Sequence, residues 1–450
     1  MRPVFNLEYG TAVADNQPPV IAAPADPEAL RVVLSGSSCG AGATFMMTET
    51  HFSKNVMCIG GTGSGKTNAI NTIITQIRAQ MKPQDVMLIF DTKGDFARTF
   101  YNAAAGDMIL GNSKQYEAVT QRWNIYREIV ADGTDEREML ANIDEIGRAL
   151  FEKNKSEAQP FFANAARGVF GAYLIAMLRG AKTDEELRRD FLNNEALRQY
   201  FNRAGKNEYF TLSNAYDDLN AIRMYLGDCE NTQALGVLAE VLVMVRDTFN
   251  GAFGSKGNFS MREFIRKKGG RTLFLEYDLS IGESLAPLYS LLIDLALKEA
   301  LGRNTTEGES GQVFVIVDEL KLLPNLMHMD DAVNFGRSMG VRVLAGLQSV
   351  SQIYDLYGDH KGKAIITGFS SLFVFRPNDS VTREFAQDHF GKNYVSEIFM
   401  ANQTPVSERR QGSVVEDWDI NSLEVGEAIV GLDRHPPFRF HFDEFIKRNI

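Results

Sequence analysis

Residues 60–67 read Gly60-Gly61-Thr62-Gly63-Ser64-Gly65-Lys66-Thr67 and match the pattern GxxxxGK[ST] in full. This pattern is typical of a phosphate-binding loop, because glycines let backbone N–H groups curl around phosphates without side-chain clashes. The lysine of such a loop places a positive charge on the β- and γ-phosphates, and the threonine hydroxyl is a ligand of Mg²⁺. The alternative interpretation is a chance glycine-rich turn.

Residues 60–67 are here called the glycine loop. The sequence on either side of this loop decides between a phosphate-binding loop and a chance turn. An apolar run typical of a buried strand precedes it at 56–59, and isoleucines follow at 70, 73, 74 and 77, the spacing of one helix face. A helix that begins at the loop points the positive end of its dipole at a bound anion. The context therefore favours a nucleotide site.

A second apolar run, Val313–Val317, ends in two acids, Asp318 and Glu319. In ATPases with a phosphate-binding loop, the first acid of such a strand holds Mg²⁺, usually through water, and a neighbouring carboxylate activates the attacking water as a general base. The alternative is a strand that ends in a helix-capping acid. Together with the glycine loop, this pair predicts an ATPase that binds ATP and Mg²⁺.

Further apolar runs of the buried-strand kind lie at 86–90, 272–277, 341–345 and 372–375, with helical patterns between several of them. Continuous apolar strands that alternate with helices indicate a mostly parallel sheet covered on both faces. The predicted fold class is therefore α/β, with a RecA-like core of the P-loop NTPase kind.

The middle of the chain departs from this pattern, because it contains only helical patterns. These patterns lie at 136–151, 161–178, 184–201, 212–225 and 232–249. The simplest account is an all-α domain inserted into the core. We accordingly predict a proline-rich arm with little regular structure (1–30), a first part of the core (31–120), the inserted domain (121–260) and a second part of the core (261–450).

Composition and charge argue against DNA binding over the whole surface and against a zinc site. The 450 residues are 44% apolar and 23% charged, and 47 basic against 58 acidic residues give a net charge of −11. A chain this acidic cannot coat nucleic acid with its whole surface, so DNA would have to bind in a local groove or pore. The three cysteines and six histidines do not show metal-ligand spacing, which indicates reduced thiols and no zinc site.

No stretch reaches the roughly 18 uncharged apolar residues that a membrane-spanning helix needs. Gly168–Leu178 lies between Arg167 and Arg179, and Leu285–Leu297 is interrupted by Asp294. The amino terminus also lacks a basic-then-apolar signal pattern. We therefore expect a cytoplasmic chain without a transmembrane segment.

Seven segments resemble the coupling ATPases of type IV secretion and conjugation, within the FtsK–HerA class of hexameric translocases. They are HFSKNVMCIGGTGSGKT (51–67), LIFDTKGDF (88–96), RWNIYREI (122–129), PFFANAARGVF (160–170), VFVIVDEL (313–320), GRSMGVRVLAGLQSVSQIYDLYG (336–358) and SLEVGEAIVGLDRHPPFRF (422–440). The resemblance covers roughly residues 50–440. Its most specific part is the segment 336–358, with a glutamine near the end of a strand beside the loop-bearing strand.

The resemblance implies two more catalytic residues beside Lys66 and Glu319. Gln348 matches the polar sensor near the γ-phosphate, the alternative being a satisfied amide at a strand end. Arg337 matches the arginine finger that reaches the nucleotide of a neighbouring subunit, the alternative being a surface arginine paired with a carboxylate. Arg376, Arg409 and Arg410 are reserve candidates for the finger.

The resemblance also implies a function, in which ATP hydrolysis moves DNA, expected to be single-stranded, or a relaxase–DNA complex toward a type IV secretion channel. The chain would form a homo-hexamer, either on its own or from monomers that assemble on DNA. Family members usually begin with membrane-spanning helices, so this chain is either a shortened form of such a protein or is recruited by a separate membrane protein. We expect it at the cytoplasmic face of the membrane. The alternatives are an FtsK/HerA-like DNA pump without a secretion role and a nucleotide-gated adaptor for protein cargo.

Two features are candidate DNA contacts. Aromatic residues with interspersed arginines occur in the predicted helical domain and can stack on bases, each stack contributing about 1–3 kcal/mol; packing between helices is the alternative. The aromatic candidates are Trp123, Tyr126, Phe161, Phe162 and Tyr173. The densest basic cluster, residues 261–271, is either a DNA-contacting element or a solvated loop.

Overall fold

The computed structural model describes residues 5–151, 160–227, 229, 231–280, 282–302, 311–401 and 404–447. Its strands are β1 (Phe5–Tyr9), β2 (Arg31–Ser38), β3 (Ala41–Thr48), β4 (Val56–Ile59), β5 (Val86–Asp91), β6 (Met108–Leu110), β7 (Arg271–Glu276), β8 (Val313–Val317), β9 (Val341–Leu347), β10 (Ser371–Phe375), β11 (Lys392–Ala401), β12 (Thr404–Ser413), β13 (Glu427–Gly431) and β14 (Phe438–Phe442). Its helices are α1 (Glu49–Phe52), α2 (Lys66–Gln80), α3 (Asp95–Phe100), α4 (Ile125–Ile129), α5 (Glu136–Phe151), α6 (Pro160–Gly180), α7 (Asn194–Arg203), α8 (Lys206–Ser213), α9 (Arg223–Leu226), α10 (Thr232–Thr248), α11 (Met261–Lys267), α12 (Gly282–Leu301), α13 (Met329–Phe335), α14 (Ser351–Thr367), α15 (Ser380–Phe390) and α16 (Asp417–Asn421).

The chain divides into two compact units. The first unit consists of Met1–Phe90, Arg303–Leu322 and Met329–Ile450, and the second consists of Asp91–Gly302 and Leu323–His328. The glycine loop and the acidic pair after β8 both belong to the first unit.

The first unit contains a mixed sheet with strand order β3-β2-β14-β13-β10-β4-β9-β8-β5. From β10 to β5 the neighbouring strands run parallel, whereas β13, β14, β2 and β3 pair antiparallel. Every residue of β4, β8, β9 and β10 is buried, as continuous apolar runs predict for a sheet covered on both faces. The predicted α/β fold with a mostly parallel core is therefore confirmed.

A separate three-stranded antiparallel sheet, in the order β1-β11-β12, also lies in the first unit. Its strand β1 falls within the arm 1–30, which the sequence predicted to have little regular structure, so that prediction is wrong for Phe5–Tyr9. The stretch FNLEY alternates apolar and polar residues with period two, a strand pattern, although Asn6, Leu7, Glu8 and Tyr9 are all exposed. It forms a strand because β11 offers a backbone partner far along the chain.

The second unit contains the helices predicted between 121 and 260, together with β6, β7, α3, α11 and α12. Helices α5, α6 and α10 lie where the helical patterns predicted them, whereas the patterns 184–201 and 212–225 do not form continuous helices. The pattern 184–201 is interrupted at Asn193. The side chain of this residue accepts a hydrogen bond from the Ala196 N–H and caps the start of a new helix, α7. The pattern 212–225 divides into the end of α8, a 3₁₀ turn at Asp217–Ile222 and α9.

The segment 122–129, one of those that carried the resemblance, forms a buried polar cluster within the second unit. The fully buried Glu128 carboxylate accepts hydrogen bonds from Trp123 Nε1 (2.9 Å), Ser260 Oγ (2.9 Å) and the backbone N–H groups of Met261 and Arg262. Burial raises the pKa of Glu128, and these donors oppose that shift because they stabilise the charged form. The segment therefore joins α4 to α11.

Helix α6 corrects the expectation about membrane spans. Its residues Phe161–Gly180 are long and apolar enough to cross a membrane by length and composition, with a mean hydropathy of 1.4 over the best window. Half of that window is buried inside the protein, and a buried core helix of a soluble protein passes the same test. The sequence argument excluded this stretch because it required an uninterrupted run without Arg167 and Arg179.

Candidate nucleotide-binding site

The glycine loop joins β4 to α2 through a backbone that requires glycine at several positions. Gly63 and Gly65 have φ angles of +74° and +105°, which side-chain-bearing residues rarely adopt. A Cβ atom on Gly60 would lie 2.6 Å from Phe375 Cβ, and one on Gly65 would lie 2.7 Å from Gly426 Cα. The loop is therefore a cradle that substitution with a larger residue would fill or distort.

Neighbouring strand ends hold the start of this loop. The Gly60 N–H donates to the carbonyl oxygen of Leu347 at the end of β9 (3.0 Å). The Gly61 N–H donates to the carbonyl oxygen of Arg376, just after β10 (2.9 Å). These two bonds fix where the loop begins, so its later N–H groups and the start of α2 are set in position.

Lys66 is the first residue of α2, and its side chain is buried over the loop. The ammonium group donates to the carbonyl oxygens of Gly60 and Gly61, the second at 3.1 Å. Close by in sequence, the buried Ser64 Oγ has no hydrogen-bond partner within the described residues. A cation and an unsatisfied hydroxyl beside a glycine cradle are the chemistry that phosphate oxygens require.

Asp318 and Glu319 directly follow β8, and both are more than 90% buried. Since β9 alone separates β4 from β8, the loop-bearing strand and the acidic strand tip lie about 10 Å apart. The charges of both Lys66 and Asp318 affect the pKa of the Cys58 thiol on β4. Burial raises its pKa to about 12, with Lys66 opposing that shift and Asp318 adding to it. Lys66 and Asp318 are therefore both close enough to Cys58 for their charges to change its pKa.

Gln348 follows β9 and contacts the second acid. Its Nε2 donates to Glu319 Oε2 at 2.6 Å, whereas Glu319 Oε1 is buried and accepts no hydrogen bond from the described residues. Burial raises the pKa of Glu319, and the bond from Gln348 lowers it in part. A carboxylate with a raised pKa and one unengaged oxygen suits the acceptance of a proton from water.

The residues proposed for Mg²⁺ fit an ion that arrives with a nucleotide. Among the described residues, no group of three or more His, Cys, Asp or Glu side chains is placed to hold a metal ion. Mg²⁺ in phosphate-transfer sites is bound by one or two carboxylates together with phosphate oxygens and waters. The Thr67 hydroxyl and the Asp318 carboxylate match that donor set.

Arg337 lies away from these residues. It is exposed on the turn Gly336–Met339, which precedes β9, whereas Gln348 follows the same strand. The seven residues of β9 place the two about 23 Å apart. Within the described residues, Arg337 makes no side-chain hydrogen bond or ion pair.

The reserve arginines differ in their surroundings. Arg376 is exposed and lies at the edge of the sheet that carries the glycine loop, since its carbonyl oxygen accepts from Gly61. Arg409 pairs with Glu8 at 3.0 Å, and Arg410 pairs with two carboxylates. Arg409 and Arg410 therefore have carboxylate partners, Glu8 and Glu397 in the three-stranded sheet and Glu416 just before α16.

Most of the predicted DNA-contacting residues belong to the core. Trp123, Tyr126 and Tyr173 are at most 3% exposed, so they pack helices and cannot stack on a base. In the basic segment 261–271, Arg262 and Arg266 pair with Asp132 and Glu299, and Lys267 pairs with Glu263. The basic side chains in the helical part of that segment are therefore paired with carboxylates of the same chain.

Sequence reasoning missed one exposed stacked pair in the second unit. The Arg223 guanidinium lies 4.6 Å from the ring centroid of Phe210, whose side chain is 57% exposed. The two residues lie on different short helices, so no local spacing in the sequence indicated the contact. Of the remaining aromatic candidates, Phe161 is 38% exposed and Phe162 is half-buried, and Phe191 in the same predicted domain is also exposed.

Comparisons with known proteins agree with this fold. Coupling protein TraD of Escherichia coli (strain K12) is 23% identical over 346 residues, which cover 74% of this chain and 43% of TraD. The chain thus spans less than half the length of that curated relative. The bacterial conjugative coupling protein TrwBdeltaN70, in an unbound monoclinic form, is similar with a TM-score of 0.66 and 22% identity, over 92% of this chain and 90% of that one. The plasmid coupling protein TrwB in complex with ADP and Mg²⁺ gives 0.66 and 22%, over 90% and 88%.

The family comparison covers most of the chain. The matching family model is described as the type IV secretion-system coupling protein DNA-binding domain, and it matches residues 41–420. This range contains the glycine loop, the acidic strand tip and Gln348. The chain therefore belongs to the family of type IV secretion-system coupling proteins, in the part that forms their DNA-binding domain.

Proposed function

We propose that this protein is an ATPase that couples ATP hydrolysis to the delivery of DNA, or of a relaxase–DNA complex, to a type IV secretion channel. The observation that carries the ATPase part is the hydrogen bond from Gln348 to Glu319, beside the glycine loop. It joins the proposed sensor to the proposed base on adjacent strands. The similar protein TrwB, in complex with ADP and Mg²⁺, supports nucleotide and magnesium as ligands here.

In this proposal the glycine loop and Lys66 bind the β- and γ-phosphates, and Thr67 and Asp318 hold Mg²⁺. When bound, the ion neutralises charge on the phosphate oxygens. Water attacks the γ-phosphorus in line and gives a proton to Glu319, while the bond to the bridging oxygen of ADP breaks. Lys66 stabilises the charge that develops on the transferred group.

The remaining catalytic group would come from a neighbouring copy. Arg337 lies about 23 Å along β9 from Gln348, so it is too distant to act on its own nucleotide. Its exposed guanidinium is free to approach the nucleotide of another subunit, as an arginine finger does. This supports the homo-hexamer that the family resemblance implies.

The pH dependence of hydrolysis tests the link between Gln348 and Glu319. Since burial raises the pKa of Glu319, activity should fall on the acidic side at a pH above that of an ordinary glutamate. In Gln348→Ala the carboxylate loses the bond that favours its charged form, so its pKa should rise further. The acidic limb of the kcat profile should therefore move to higher pH, which a steady-state ATPase assay measures.

Gln199→Ala is the matched control, because Gln199 also donates to a glutamate, Glu195, but on the exposed surface of α7. Its acidic limb should coincide with that of the unmodified protein. An acidic limb that stays in place or moves to lower pH in Gln348→Ala would contradict the proposed role of this hydrogen bond.

The coupling role is tested by adding DNA. Single-stranded DNA should stimulate ATP hydrolysis and, together with nucleotide, raise the mass in solution from monomer to hexamer, as light scattering measures. Deletion of the gene should abolish conjugative transfer if the pump serves secretion. A stable complex with a secreted protein, without DNA binding or DNA-stimulated hydrolysis, would instead favour the nucleotide-gated adaptor.

A further inference from the structure

We propose that a C-terminal strap, defined as Gly426 and residues 443–445, positions the glycine loop for nucleotide binding from outside the site. The inference rests on the proposed function, because it assigns positioning residues to the same phosphate-binding site. The strap lies beyond residue 420, where the match to the family model ends.

The first contact joins two glycine backbones. The Gly426 N–H donates to the carbonyl oxygen of Ser64 at 3.0 Å, within the glycine loop. A Cβ atom on Gly65 would lie 2.7 Å from Gly426 Cα and 2.8 Å from its nitrogen, so the two backbones pack without side chains between them. Gly426 itself has a φ of +84°, and its carbonyl oxygen accepts from the Phe442 N–H at 2.9 Å.

The second contact lies one helical turn further along. Asn68, in the first turn of α2, donates through Nδ2 to the carbonyl oxygen of Asp443 at 2.8 Å. Its Oδ1 accepts from the Phe445 N–H. One side chain thus makes hydrogen bonds in both directions to the chain that follows β14, so the start of α2 is tied to the strap.

The strap therefore contacts the two parts that bind phosphate in the proposal, the loop backbone and the first turn of α2. Phosphate affinity depends on where those N–H groups point, and binding constellations require placement within about 0.5 Å. The strap reaches the site through backbone contacts, so we expect it to act on the geometry of the loop. Since β13 pairs with β10 and β14 pairs with β2, the strap is anchored in the main sheet.

Gly426→Ala, compared with Gly391→Ala, tests the first contact. Both glycines have a positive φ, +84° and +87°, which side-chain-bearing residues rarely adopt, so alanine strains the backbone at each. A Cβ has room at both, with its nearest neighbour at 3.5 Å for Gly426 and no atom within 4 Å for Gly391. The variants therefore differ in where the strained backbone lies, because the Gly426 N–H donates to Ser64 of the glycine loop and the Gly391 N–H donates to Gln387.

Asn68→Ala, compared with Asn71→Ala in the same helix, tests the second contact and decides the question if Gly426→Ala does not fold. Titration with fluorescent ADP and steady-state ATPase kinetics are the measurements. We expect Gly426→Ala, which strains the backbone that donates to Ser64, and Asn68→Ala, which removes both side-chain hydrogen bonds to the strap, to raise the Kd and KM about threefold to tenfold, with a smaller change in kcat. Gly391→Ala and Asn71→Ala should match the unmodified protein.

The strap proposal is overturned if the unmodified protein binds ADP while each strap variant has the same Kd and KM as its control. In that case the ATPase proposal stands. Absence of ADP binding by the unmodified protein overturns both proposals together. A fall in kcat without a change in Kd or KM also overturns the strap proposal, because the strap would then act on the chemical step.

Discussion

Replacing Lys66 by alanine should lower ATP turnover by about 10²–10³-fold, the cost of removing one preorganised charge from a transition state. The effect should be large because the ammonium is buried over the glycine loop, where water screens it little. In the proposed site Lys66 also contacts the phosphates before the reaction, so the variant should lose nucleotide affinity as well. Titration with fluorescent ADP and a steady-state ATPase assay measure the two losses separately.

Lys363→Ala serves as the control, because Lys363 is an exposed lysine of the same unit, on α14. It should bind and hydrolyse ATP like the unmodified protein. Turnover by Lys66→Ala within a few-fold of the control would remove the glycine loop from the mechanism.

Glu319→Gln should lower kcat by about 10²–10⁴-fold, the usual contribution of a general base. Glutamine keeps the shape of the side chain but cannot take a proton from water. Since Glu319 does not hold the phosphates in this proposal, the affinity for ATP should stay within a few-fold of the unmodified value. A single-turnover assay at saturating protein isolates the chemical step from binding.

Glu384→Gln, on the exposed face of α15, is the matched control and should leave kcat unchanged. The two catalytic variants should therefore fail differently, with Lys66→Ala losing binding and turnover and Glu319→Gln losing turnover alone. If Glu319→Gln lost ATP affinity in proportion to kcat, Glu319 would be a binding residue instead of the base.

The parts of the fold that the sequence predicted well have strong local patterns. Helix α5 and strand β8 lie at the residues that periodicity and apolar runs indicated, 136–151 and 313–317. Strands β11 and β12 escaped prediction, because segments such as TPVSERRQGS have little apolar character and owe their conformation to backbone pairing with each other. The three residues of β6 are too few for a pattern.

The candidate site also has parts that local sequence motifs predict and parts that depend on the whole fold. The residue types of the glycine loop and of Asp318 and Glu319 stand in short motifs, so local spacing could propose them. The bond from Gln348 to Glu319 depends on the order β4-β9-β8, which follows from the whole sheet. The contact of Gly426 with the loop was unpredictable, because it joins backbones that are far apart along the chain.

The position of Arg337 agrees with the resemblance, which implies a finger that acts on the nucleotide of a neighbouring subunit. A finger at the far end of β9 from Gln348 can serve catalysis only where two copies meet, so hydrolysis and assembly would be coupled. Stimulation by DNA would then follow from assembly, because DNA that gathers the subunits also brings each arginine to a neighbouring nucleotide.

The central claim is that the glycine loop and the acidic tip of β8 share one nucleotide and one metal ion. Crystals grown with a non-hydrolysable ATP analogue and Mn²⁺, measured for anomalous scattering, test it most directly. We predict a manganese peak about 2.1 Å from Thr67 Oγ1 and facing Asp318, with the triphosphate along residues 61–67. The account would be contradicted by a triphosphate bound elsewhere. It would also be contradicted by a manganese peak too far from Thr67 and Asp318 to be bridged to either side chain by one water.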